Sequence, residues 1–226
     1  MPLDLSRIHA LCFDIDGTLR DTDDQLVLQL AKLLRPVRFL FPQHDTQVYA
    51  RRFVMTLDEP GNFLKGLSDT WGLDGPLARL GDRFGKPCDQ PKTRPPLIVP
   101  GVAEMLATLS QRYPLAVVST RGQRSTQIFL DCHNLTSLFQ VIVTGQTTEH
   151  TKPYPDPILF AAERMSVPAE HCLMIGDTTV DIRAGRAAGA QTVGVLCGFG
   201  QAAELARAGA DLILPTTAAL TGHLLG

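Results

Sequence analysis

Five short runs, Ala10–Phe13, Leu115–Val118, Val141–Val143, Leu173–Ile175 and Val193–Leu196, constrain this chain more than any other feature. Each is apolar throughout rather than at alternate positions. That is the pattern of a strand buried on both faces, as in a parallel sheet. Leu212–Leu214 has the same character and offers a sixth. Helical patterns separate the later runs. Val102 is followed by Met105, Leu106 and Leu109 at helical spacing. Asp156-Pro157 reads as an N-cap with proline in the first helical position, leading to Ile158, Leu159, Ala162 and Met165. Val180, Ala184 and Ala187 lead to Gly189, a helix stop. Strands alternating with helices predict an α/β fold, a doubly wound parallel sheet with right-handed crossovers.

The stretch 21–96 does not join this alternation. Leu26, Leu30, Leu33 and Leu34 make an amphipathic stripe that ends before Pro36. Val48, Phe53, Val54 and Leu57 suggest a second helix, and Phe63, Leu64 and Leu67 a third. A proline cluster, Pro87, Pro91, Pro95, Pro96 and Pro100, reads as a semi-rigid return to the sheet. The expected organisation is a core of residues 1–20 and 97–226, with a helical domain of residues 21–96 inserted after the first strand.

Composition narrows the function classes. Apolar residues make up 44% and charged residues 19%, which provides material for a core and argues against disorder. Lys plus Arg is 21 against 23 Asp plus Glu, for a net charge of −2. No basic cluster exceeds Arg51–Arg52, so no nucleic-acid partner is expected. No apolar stretch approaches the ~18 residues of a bilayer span, and no membrane partner is expected. The first residues, Met1-Pro2-Leu3-Asp4-Leu5, do not resemble a secretory signal. The five cysteines include no Cys-x-x-Cys pair, and Cys12 and Cys172 lie in apolar runs. Buried, reduced thiols and a cytoplasmic location are the expectation.

Four strand-end features carry the chemistry. Phe13-Asp14-Ile15-Asp16-Gly17-Thr18-Leu19 places two carboxylates two residues apart at the carboxyl end of a buried strand. Open α/β sheets bind ligands at that end. A calcium loop would need Gly and Glu where Leu19 and Gln25 stand, so that reading fails. Gly176-Asp177-Thr178-Thr179-Val180-Asp181 follows another apolar run, and a helix starting there would stack Asp177 and Asp181 on one face. Carboxylates gathered from two strands repel one another, and a divalent cation with oxygen ligands relieves this. Ser119-Thr120-Arg121 offers a hydroxyl and backbone N–H groups to a phosphoryl oxygen, and Lys152 before Pro153 offers a cation. Four carboxylates against this one lysine are strongly repulsive to a phosphate dianion, which independently calls for a metal ion. Gly81 to Lys86 is one residue short of a P-loop, and Pro87 follows in place of Ser or Thr.

In this order the four features resemble the haloacid dehalogenase superfamily, specifically its phosphoglycolate-phosphatase-like phosphatases with a helical cap inserted after the first motif. The matching residues are Asp14-Ile15-Asp16-Gly17-Thr18, Ser119-Thr120, Lys152-Pro153 with Pro155-Asp156-Pro157, and Gly176-Asp177 with Asp181. Such members usually carry Thr-Asn where Ser119-Thr120 stands, which leaves the particular phosphate ester open. The resemblance implies Asp14 as nucleophile, forming an aspartyl-phosphate, and Asp16 as general acid and then base. It implies Mg²⁺ held by Asp14, the Asp16 backbone carbonyl and Asp177, with Asp181 completing or orienting the site. Ser119, Thr120 and Lys152 are implied to bind phosphate. The substrate class implied is a small phosphorylated metabolite. A sugar phosphomutase on the same framework and a non-catalytic binding module are the alternatives. Selectivity is expected from the cap, where the turn Glu59 to Phe63 puts forward Asn62 and Lys65, with Arg51 or Arg52 as a second choice.

Overall fold

The computed structural model describes residues 3–21 and 97–226. The expected cap from residue 22 onward, including Asn62, Lys65 and Arg51–Arg52, lies outside the described residues.

Each of the six apolar runs is a strand: β1 (Ala10–Phe13), β2 (Leu115–Val118), β3 (Val141–Val143), β4 (Cys172–Gly176), β5 (Gln191–Val195) and β6 (Leu212–Leu214). All pairings are parallel, in the order β3-β2-β1-β4-β5-β6. The described helices are α1 (Val102–Leu109), α2 (Gln123–Cys132), α3 (Asp156–Met165), α4 (Thr179–Ala187), α5 (Ala202–Ala208) and α6 (Leu220–Leu225). The doubly wound parallel sheet read from the sequence is the architecture observed.

Strand periodicity divides the core into two layers. In β1, Leu11 and Phe13 join the larger layer with Val102, Leu106 and Leu109 of α1 and Phe129 and Leu130 of α2. Ala10 and Cys12 face the other side with Ile158, Ala161, Ala162 and Met165 of α3 and Ala184 of α4. That second layer is rich in alanine, and α4 lies close to the sheet. A Cβ on Gly185 would stand 2.6 Å from Thr192 Cγ2 and 2.9 Å from Met174 Cβ. Cys12 and Cys172 are free and fully buried, as expected. No helix among the described residues is long and apolar enough to cross a membrane.

Three local expectations shift. Asp156 is the first helical residue of α3 rather than its cap, because the Pro155 carbonyl already accepts the Leu159 N–H at 3.0 Å. On that helix Leu159 is 45% exposed, and Ala161 takes its place in the core. On α4 the buried apolar face is Ile182 and Ala184, whereas Ala187 is exposed. Gly189 does end the helix, with φ 82°, as the Ala190 N–H reaches back to the Gly185 carbonyl.

Candidate active site

The strand order reverses between β1 and β4, and ligand sites in open α/β sheets form at such a reversal, outside the carboxyl ends of the strands. Register pairs Phe13 with Ile175, so Asp14 and Asp177 leave adjacent strands at nearly the same height. The Asp14 N–H donates to the Ile175 carbonyl at 2.9 Å, extending the ladder by one bond and holding the Asp14 backbone in place.

Asp14, Asp177 and Asp181 converge. Each offers one carboxylate oxygen to a set whose members all lie within 4.8 Å of one another, and all three residues are buried. Lys152, 2% exposed, joins two of them: its Nζ donates to Asp14 Oδ1 at 2.7 Å and to Asp181 Oδ1 at 2.5 Å. Asp181 Oδ2 accepts from the Thr178 N–H at 3.0 Å and from the Thr178 hydroxyl at 2.7 Å. Asp181 therefore sits in the first turn of α4 and reaches back over its N-terminus. Asp177 lies before the helix, not on it, which corrects the expectation of two carboxylates stacked on one helical face. Convergence comes from the turn at Thr178, which folds the α4 N-terminus over the end of β4.

Asp177 is walled in by glycines. Its Oδ2 accepts the Phe199 N–H at 2.7 Å. A Cβ on Gly17 or on Gly198 would collide with the same carboxylate, and Gly17 also needs φ 77° for its turn. Asp177 Oδ1 is buried and has no hydrogen-bond partner. An orphaned anionic oxygen in such a place is expensive unless a cation meets it. Three carboxylates in an all-oxygen set suit a hard divalent ion such as Mg²⁺, so the residues present fit the metal that the resemblance implies.

The electrostatics show what the cluster lacks. Burial pushes the Asp14 carboxyl up to about 7 against the pull of Lys152, with Asp181 and Asp16 adding to the rise. Burial, then the charges of Asp181 and Asp14, raise Asp177 well above the usual carboxylate range. Burial alone would lower Lys152, but Asp14 and Asp181 outweigh it and hold the ammonium above the ordinary lysine range. One lysine does not balance three buried carboxylates.

Asp16 stands apart from this group. Arg121 Nη1 donates to its Oδ1 at 2.7 Å and its Oδ2 at 2.9 Å, and Arg20 Nη1 donates to Oδ1 at 3.0 Å. Lys152 is thus not the sole cation among four carboxylates: three cations face four, and the repulsion deduced from the sequence is weaker at Asp16 and concentrated at the other three. The signal for the two arginines was position: Arg121 closes the run Ser119-Thr120-Arg121, and Arg20 directly follows Leu19. Ser119 directly follows β2, is 4% exposed, and accepts the Arg121 N–H on its Oγ at 3.2 Å. The Thr120 residue is exposed, unlike the buried Ser119 beside it.

The haloacid dehalogenase-like hydrolase family model matches residues 11–195. The chain belongs to that family. A phosphoglycolate phosphatase of Aquifex aeolicus (strain VF5) is 31% identical over 194 residues, 85% of this chain and 86% of that one. The phosphoglycolate phosphatase of Shigella boydii is also 31% identical, but over 134 residues, so the match spans 52% of that protein's length. A solved HAD family hydrolase from Deinococcus radiodurans R1, with bound phosphate and sodium, has a TM-score of 0.64 at 24% identity and covers 96% of this chain and 95% of that one. The likeness to that structure is one of fold.

Proposed function

We propose that the chain is a Mg²⁺-dependent phosphatase that hydrolyses a small phosphorylated metabolite through an aspartyl-phosphate on Asp14. The observation that carries this reading is the buried set Asp14, Asp177 and Asp181 around Lys152, with Asp177 Oδ1 left without a partner. Phosphatases among its relatives support the same class.

Lys152 occupies Asp14 Oδ1, so the other oxygen is the one available to attack phosphorus. Attack forms the Asp14 O–P bond and breaks the bond from phosphorus to the leaving oxygen, which Asp16 protonates. Asp16 then accepts a proton from the water that cleaves the aspartyl-phosphate, and phosphate departs. The Ser119 hydroxyl and the Lys152 ammonium hold phosphoryl oxygens, with Thr120 a weaker contributor because of its exposure. Asp14, the Asp16 carbonyl and Asp177 would hold Mg²⁺, oriented by Asp181. When bound, the ion neutralises charge on the carboxylates and on the transferring phosphoryl group. Residues 21–96 serve as the cap that selects the leaving group, with Asn62 and Lys65 as its reading residues, and the enzyme works in the cytoplasm.

The test is phosphate release over a panel of phosphorylated metabolites, with Mg²⁺ and after EDTA. Hydrolysis that Mg²⁺ restores is the expected result. Full activity after EDTA removes the metal from the reading. An isomeric sugar phosphate without free phosphate replaces hydrolysis by a phosphomutase reaction.

A further inference from the structure

Asp16 is gripped from two sides by residues to which neither the family motifs nor the proposed mechanism assigns a task. Arg121 spans both carboxylate oxygens from a single Nη1, and Arg20 adds a bond to Oδ1. A carboxylate on a rotatable side chain, 30% exposed, would otherwise sample several orientations. Engaging both oxygens removes that freedom, because any turn of the carboxylate plane breaks at least one bond.

Arg121 is itself well anchored. Its N–H donates to Ser119 Oγ at 3.2 Å, and its carbonyl accepts the Gly145 N–H at 2.8 Å. Gly145 permits this approach, since a Cβ there would collide with the Thr120 carbonyl. Arg20 is anchored in turn: the Gly17 N–H donates to its carbonyl at 2.9 Å, and it forms bridges with Asp16 and Ile98. Two rigid backbone segments thus present guanidinium groups to one side chain. The same turn carries Ser119, assigned above to the phosphoryl group, so phosphate holding and acid placement share one piece of backbone.

We propose that Arg121, assisted by Arg20, is a positioning residue that aims the Asp16 carboxyl at the leaving oxygen. The proposal rests on the phosphatase reading and on Asp16 as its acid. Its consequence is selective. Esters with poor leaving groups need a well-placed proton donor, whereas a dinitrophenolate departs without one.

The experiment compares kcat/KM for the best alkyl phosphate of the panel with kcat/KM for 2,4-dinitrophenyl phosphate, in the 226-residue protein with Mg²⁺. That ratio reports the step that breaks the ester bond and not the later hydrolysis of the aspartyl-phosphate, in which Asp16 serves both esters alike. R121Q is expected to lose up to about 100-fold on the alkyl ester, the scale of a misplaced catalytic group. Its loss on the dinitrophenyl ester is expected to be at least about ten times smaller. The double variant D16N/R121Q is expected to be no slower than D16N, because Arg121 acts only through Asp16. Equal losses on both esters, or losses that multiply in the double variant, overturn the proposal while leaving the phosphatase reading intact. Failure of the unaltered protein to hydrolyse either ester overturns both. Should R121Q not fold, R20Q carries the same comparison, since Arg20 holds the same Oδ1.

Discussion

Asp14 and Asp16 stand two residues apart on one turn, yet their surroundings differ in kind. The Asp14 side chain is 10% exposed against a lysine that is 3% exposed, whereas Asp16 is 30% exposed between arginines at 32% and 25%. Around Asp14 little solvent reaches the side chains, so most of the charge must be met by protein or by a bound ion, and removing one partner leaves another poorly compensated. Around Asp16 solvent screens the charges, and the arginines contribute direction more than energy. The buried half suits steps common to all phosphate esters, and the wetter half suits the leaving group, which varies.

The largest effect that sharpens this contrast is at the nucleophile. Asp14→Asn should abolish hydrolysis of both alkyl and aryl phosphates while preserving the far-UV circular dichroism, because volume is kept and the attacking oxygen is lost. Substantial turnover by that variant would break the covalent reading.

Next comes the lysine. Lys152→Ala leaves Asp14 and Asp181 facing each other across a buried gap and should destabilise the fold by about 3–5 kcal/mol, measured by chemical denaturation. Stability close to that of the unaltered protein would mean that water reaches this cluster.

A pH series separates the halves further. In the metal-free protein Asp14 binds its proton more tightly when folded, at about 7, than at its ordinary value of 3.8. Its contribution to stability is therefore full below 3.8 and is lost as pH rises through about 7. Mg²⁺ binds the ionised oxygens, so the gain in melting temperature on adding Mg²⁺ should be larger at pH 8 than at pH 5. An equal or smaller gain at pH 8 contradicts the assignment.

The smallest stability change is expected on the exposed side. Arg20→Gln should alter folding free energy by no more than about 1 kcal/mol, since its pair with Asp16 is screened. A loss comparable to that of Lys152→Ala would erase the distinction between the two regions.

Much of this was legible beforehand. Apolar runs report burial on both faces, and all six became strands within two residues of their expected limits. The strand-end carboxylates were visible because two acidic pairs follow two separate buried runs, which a solvated turn or a helix cap explains singly but not together. Cap positions on helices were less legible: whether Asp156 or Pro155 precedes α3 depends on which carbonyl takes the first helical bond, not on residue type.

The amino-acid order by itself determined the strands, their parallel α/β character, and which turns carry Asp14, Asp16, Ser119, Lys152, Asp177 and Asp181. Only the tertiary structure decided who meets whom. Lys152 lies 138 residues from Asp14 and 29 from Asp181, and Arg121 lies 105 residues from Asp16. Phe199 closes on Asp177 from 22 residues away. Periodicity reports the environment of a residue along its own element. The partner across a strand reversal is set by sheet order, which packing of the whole core selects.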